Sequence, residues 1–183
     1  MKKVVILLFV GLVALFSCNK EDDAVSSDIQ SHGTRLKSAE SDWNSLTQTQ
    51  KDDKIINRAY VDNGVYVGLE CKPWVSKVVY DATAGYVILP STLPNYYEWG
   101  SASHVVRRYL TIRNVDRGDI IQMKFLSTGG PHTAIVVSKN STGMTWIQSN
   151  VRPPYGKTVS VDPMSFTIFD SKFGTQYSVY RVY

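Results

Sequence analysis

The chain changes texture four times as its hydrophobic and polar positions are followed from the N-terminus. Val4 to Phe16 is an unbroken apolar run. Residues 19 to 45 are rich in Ser, Asp, Glu and Lys and hold few large apolar side chains. From Leu46 onward apolar and aromatic residues become dense, first with helical spacing and later with strand-like alternation. Ile55, Ile56, Ala59 and Tyr60 fall on one helical face, which predicts a helix over Thr47 to Tyr60 ended by Asp62-Asn63-Gly64. Trp74, Val75, Val78 and Val79 predict a second helix beginning near Cys71, with Gly85 as its stop. Pro73 belongs in the first turn, where its missing N–H costs nothing.

Ile88 to Gly100 is rich in Pro and Tyr and reads as an ordered loop, and Ser101 to Leu110 reads as a short helix. Strands are then expected at Ile120 to Phe125, Thr133 to Ser138, Met144 to Ser149, Lys157 to Val161 and Gln176 to Val182. Helices first and strands after predict an α+β fold with an antiparallel sheet. Residues 46 to 183 are the size of one compact domain, and no internal repeat is visible.

The N-terminal run is too short for a comfortable membrane span, and Lys2 and Lys3 precede it, as in an export signal over residues 1–17. Leu15-Phe16-Ser17-Cys18 resembles a bacterial lipobox, although Phe16 is bulkier than usual there. The resemblance implies cleavage before Cys18 and its acylation; the competing reading is a simple signal peptide with a coincidental cysteine. Acyl chains would anchor the protein durably in a membrane, at ~0.8 kcal/mol per buried CH₂. Residues 18–45 then form a flexible tether. The acidic Glu21-Asp22-Asp23 fits either a surface-export signal or a solvated start of that tether. Both faces of the outer membrane, periplasmic and external, therefore stay open.

Cleavage also lowers the formal charge from +4 to +2, because Lys2 and Lys3 are lost. No basic run interleaved with aromatics is present, which argues against nucleic acid. No His/Cys pairs stand at metal-ligand spacing and no phosphate-binding Gly loop occurs, so neither metal nor other cofactor is expected.

Cys18 and Cys71 are the only cysteines. If Cys18 is acylated, Cys71 has no partner for an intramolecular disulfide, and in an oxidising compartment such a thiol is buried or used. A free thiol has a pKa near ~8.5, and a helix N-terminus or a nearby imidazolium lowers it. Cys71 at the first turn of a helix has that setting. A buried structural cysteine is the alternative.

Beyond the tether the histidines are His104, with no obvious partner, and His132, which follows Gly129-Gly130-Pro131 at the mouth of a strand. The next turn centres near Asn140 to Thr142, so opposed residue numbers sum to about 281 to 283 in an antiparallel hairpin. His132 then faces residues 149 to 151, with Asn150 in the middle and Gln148 as diagonal neighbour on the same face. Either amide oxygen can accept from the imidazole and hold one tautomer, the orienting role of a Cys–His–Asn system.

Four segments carry a family resemblance: Tyr66 to Val75 around Cys71, Arg117 to Met123, Pro131 to Val137, and Thr145 to Asn150. Their order and spacing resemble the CHAP and NlpC/P60 cell-wall amidases and peptidases, relatives of papain, from about Ile55 to the C-terminus. The resemblance implies a nucleophile helix packed on the antiparallel sheet. It implies attack by Cys71 on an amide carbonyl, with His132 as base and then as acid, oriented by Asn150 or alternatively Gln148. The Cys71 N–H would be one oxyanion donor, and Tyr66 is a candidate for the second. Tyr96, Tyr97 and Trp99 either wall a groove or pack a loop.

Two positions depart from the CHAP pattern. Glu70 stands where Gln commonly precedes the nucleophile, and Gln148 stands where Glu often precedes the Asn. The function implied is a monomeric cell-envelope cysteine amidase or peptidase acting on peptidoglycan peptides. The alternatives are a non-catalytic peptide- or glycan-binding module on the same fold, and a surface cysteine protease or effector acting on proteins. Arg117-Gly118-Asp119 spells the integrin-binding tripeptide but fits a Gly-Asp turn before the first core strand. Asn140-Ser141-Thr142 matches a glycosylation sequon but fits a hairpin turn.

Overall fold

The structure, a computed structural model, describes residues 22–89, 104–149 and 156–183. The export segment, Cys18, the loop with Tyr96, Tyr97 and Trp99, and Asn150 lie outside the described residues. Residues 1–34 and 35–183 separate as two compact units. In the first, residues 22–34 are helical and begin α1 (Asp22–Asn44).

The second unit is α+β. After α1 come α2 (Gln48–Val61), α3 (Cys71–Ala82), β1 (Val105–Arg108), a 3₁₀ turn at Ile112–Asn114, β2 (Ile120–Lys124), β3 (Pro131–Lys139), β4 (Gly143–Ser149), β5 (Val159–Ser165), α4 (Phe166–Phe173) and β6 (Tyr177–Val182). The strands form one antiparallel sheet in the order β1-β6-β2-β3-β4-β5.

The helices start where local chemistry favours them. Thr47 caps α2 with a reciprocal capping box: its hydroxyl accepts from Gln50 N, and its own N–H donates to the Gln50 side chain at 2.8 Å. Such a cap contributes about 1 kcal/mol. Asp62, at the end of α2, accepts the Trp74 indole N–H at 2.9 Å and so ties α2 to α3.

Alternation along each strand sends side chains to opposite faces, and both faces are covered. Ile120, Ile135, Ile147 and Tyr180 pack with Ile55, Ile56, Trp74, Val75, Val78 and Val79 of α2 and α3. Ile121, Ala134, Val136, Trp146 and Val179 pack on the other face with Phe166, Phe169 and Phe173 of α4.

Three expectations need correction. Residues 22–44 form a helix rather than an irregular tether, and the compact unit begins at Arg35 rather than near Leu46. Ala39 and Trp43, four residues apart on one helical face, are buried, and the Trp43 indole donates to the Tyr183 carbonyl at 2.9 Å. Burying one Trp contributes on the order of 4 kcal/mol by area, enough to dock an otherwise polar helix. Val105–Arg108 is a strand, not part of a helix, because β-branched Val105 and Val106 pair with β6. Helix α4 was not expected at all. Its Ser165 cap accepts from Ile168 N, and it reads as a short apolar run inside a strand-rich region.

Asp119 of the Arg-Gly-Asp tripeptide is fully buried and bound by Arg108 and Arg181, which leaves no carboxylate for a receptor. The tripeptide instead sits in the turn leading into β2, with Gly118 at φ +85°, next to the Asp52 side chain.

Candidate functional site

Cys71 is the first residue of α3 and is buried. Two features set the head of this helix. The Ser149 hydroxyl, at the end of β4, donates to the Leu69 carbonyl at 2.8 Å. Upstream, residues 63–67 run along the start of β5, with Val67 N donating to Lys157 O and Val159 N donating to Val65 O. The nucleophile candidate is therefore held at one end of the sheet, at the positive end of the helix dipole.

Glu70, whose charge bears on the thiol, is exposed, with Lys157 Nζ at 3.7 Å from its carboxylate. Solvent and the lysine screen it. Lys72 is the opposite case: its side chain is fully buried, and burial pushes its pKa down while Cys71 pushes it up.

His132 lies at the same end of the sheet, near the start of β3. Its Nε2 is 2.6 Å from Gln148 Oε1, and the pair is buried. The roles of the atoms follow from the next link. Gln148 Nε2 donates to Asp162 Oδ2 at 3.0 Å, and the Ser160 hydroxyl donates to the same oxygen at 2.6 Å. A carboxylate accepts only, so the Gln148 NH₂ faces Asp162 and its carbonyl oxygen faces the imidazole. The proton on His132 is therefore on Nε2, and Nδ1 carries the lone pair. An imidazole fixed in this way is a competent base at Nδ1.

The hairpin register agrees with the turn-based arithmetic. Ala134 pairs with Gln148 and Val136 with Trp146. Among the described residues, Gln148 is the amide bonded to the His132 ring. The two carboxyl-side members, Asp162 and Ser160, went unrecognised in the sequence. The expected fifth-strand segment stopped at Val161, whereas β5 runs to Ser165 and pairs Gln148 with Ser160. Carrying the register across one more hairpin would have placed both.

Strand alternation sets the His132 ring on one face of the sheet and the body of α3 on the other. His132 alternates in phase with Ala134 and Val136, and its ring packs near Phe125 and Trp146, on the α4 face. Helix α3, which carries Cys71, packs on the other face through Trp74, Val75, Val78 and Val79. His132 opens onto a cavity of about 210 Å³ lined by Phe125, Trp146, Gln148, Met164, Lys172 and Phe173.

On the α3 face, the same strand ends carry a row of polar residues. Gln122 is flanked in register by Thr133 and Ser178, and the side-chain polar atoms of all three are buried without a partner. Tyr66 is 67% exposed, so its hydroxyl stands in a watery setting rather than a shielded oxyanion pocket. His104 is exposed and stacks at 4.5 Å on Tyr86. Among the described residues, no cluster of three or more His, Cys, Asp or Glu is placed to hold a metal. No helix among them is long and apolar enough to cross a membrane.

No family model and no curated protein matches the chain. Among solved structures, it resembles the crystal structure of Ly7917, with a TM-score of 0.52 and 15% identity over 70% of this chain. A second Ly7917 structure, with the hydrolyzing product of MDP, gives a TM-score of 0.50 at the same identity. The matches span 61% and 62% of those chains. At this identity the likeness establishes a shared fold and nothing more.

Proposed function

We propose that the chain is a cell-envelope cysteine hydrolase of the papain-like, NlpC/P60 or CHAP type, cutting amide bonds in peptidoglycan peptides. The observation that carries this reading is the chain His132–Gln148–Asp162, which fixes the imidazole proton on Nε2 and leaves Nδ1 basic. In the proposed reaction, Nδ1 takes the Cys71 thiol proton and the thiolate adds to the amide carbonyl. The tetrahedral adduct collapses as the imidazolium gives its proton to the leaving amine. Water, deprotonated by Nδ1, then hydrolyses the thioester and releases the acid and the thiol. The Cys71 N–H at the head of α3 is the proposed oxyanion donor.

Two further points support the reading. Cys71 and His132 lie at the same end of the sheet, and the fold is shared with a protein crystallised with the hydrolyzing product of MDP. The reaction requires His132 Nδ1 to meet the thiol at the strand end while Nε2 stays on Gln148. Export as a lipoprotein acylated on Cys18 would place the domain on the outer membrane.

Purified protein incubated with cell-wall fragments should release new amino groups. Release should fall to background in Cys71→Ala and in His132→Ala. Equal release by wild type and Cys71→Ala would sink the proposal.

One observation favours a second reading, a non-catalytic binding module: His132 lines an aromatic cavity. That reading predicts retention of wall fragments on the protein with no new amines, and no change in retention on removing the thiol.

A further inference from the structure

The cavity beneath α4 has a chemistry of its own. Its walls are the rings of Phe125, Phe173 and Trp146 and the Met164 side chain, with His132 at one side. Lys172, exposed in the last turn of α4, supplies a cation at its rim. At about 210 Å³ it is smaller than the ~300–1,000 Å³ of pockets that hold drug-sized molecules, and it suits a fragment of a few carbons.

Its polar groups are unevenly matched. Trp146, which is 2% exposed, buries its indole N–H with no acceptor. A buried donor of this kind is costly unless a ligand or water completes it. The Asp162 carboxylate lies behind Gln148, occupied by Gln148 and Ser160. No carboxylate is among the residues lining the cavity. A cation at the rim over apolar walls calls for an anion with a hydrocarbon body.

We propose that this cavity binds a small aliphatic carboxylate, with the carboxylate toward Lys172 and the alkyl chain against Phe125, Trp146, Met164 and Phe173. The site shares His132 and Gln148 with the proposed hydrolase site but needs no thiol, so Cys71→Ala separates the two readings.

Titrating the full chain with butyrate and, separately, with butyramide, while following the Trp146 indole and His132 ring resonances by NMR, tests it. Butyrate should shift the Trp146 and His132 ring resonances, and butyramide should bind about two- to five-fold more weakly, as loss of one exposed charge contact implies. Lys172→Gln, a surface change that leaves the fold intact, should weaken butyrate by a similar factor and leave butyramide unchanged. Cys71→Ala should change none of these results. Equal affinity for acid and amide, no Trp146 shift at saturating butyrate, or indifference to Lys172→Gln would each overturn the proposal.

Discussion

Gln148→Met keeps the length of the side chain and removes both ends of the chain that orients His132. The consequences can be counted from the geometry. The His132 Nε2 proton, on a ring only 6% exposed, loses its acceptor. A buried donor left unpaired costs about 1–3 kcal/mol. Asp162 loses one of two donors to Oδ2 but keeps Ser160, and its partial exposure lets water replace the amide. That second loss is worth about 0.5–1 kcal/mol.

The sum, about 1.5–4 kcal/mol, lowers the urea midpoint by roughly 0.8–2 M for a slope of ~2 kcal/mol/M. The tautomer should respond as well. With Gln148 gone, nothing holds the proton on Nε2, and the ¹⁵N shifts of the His132 ring should move toward a mixture of tautomers. A midpoint within ~0.3 M of wild type, together with an unchanged Nε2–H signature, would refute the argument that Gln148 orients the ring.

Other consequences concern the opposite face and the helix pair. Thr133→Val removes a buried, unpaired hydroxyl at nearly constant volume and should stabilise the protein by about 1 kcal/mol in denaturant unfolding. A loss of stability would mean that ordered water completes the Ser178–Gln122–Thr133 row. Burial pushes the Asp52 carboxyl above its usual range, against opposing pulls from Gln48 and Arg181. The native state therefore holds the Asp52 proton more tightly than the unfolded chain, and this contribution to stability falls as pH rises from about 3.8 through the folded value. Asp52→Asn should gain stability relative to wild type on going from pH 3 to pH 7; a gain independent of pH would contradict the assignment.

Much of the fold was legible because its signals are local. The spacing of Ile55, Ile56, Ala59 and Tyr60 and the position of Pro73 fixed α2 and the start of α3 to within a residue or so. The β3–β4 register followed from the turn at Asn140 to Thr142 and placed Gln148 on the face of His132. What escaped depends on tertiary contact. Ala39 and Trp43 dock α1 through a bond to the last residue of the chain, 140 positions away. Helix α4 offers too few turns for its period to show. The face on which α3 packs cannot be read from strand alternation, since alternation divides the residues into two sets without saying which set a given helix covers. That ambiguity is why the packing of α3 on the face opposite the His132 ring could not be read from the sequence.

The central claim is that Cys71 and His132 act as one unit, and the rate of Cys71 alkylation by iodoacetamide between pH 5 and 9 tests it most directly. A functional pair predicts rapid alkylation of the wild type near pH 6, falling at least ten-fold in His132→Ala, whose thiol should react only as pH approaches the ordinary range near ~8.5. Superimposable profiles for the two proteins would show that the imidazole does not reach the thiol, and would contradict the account.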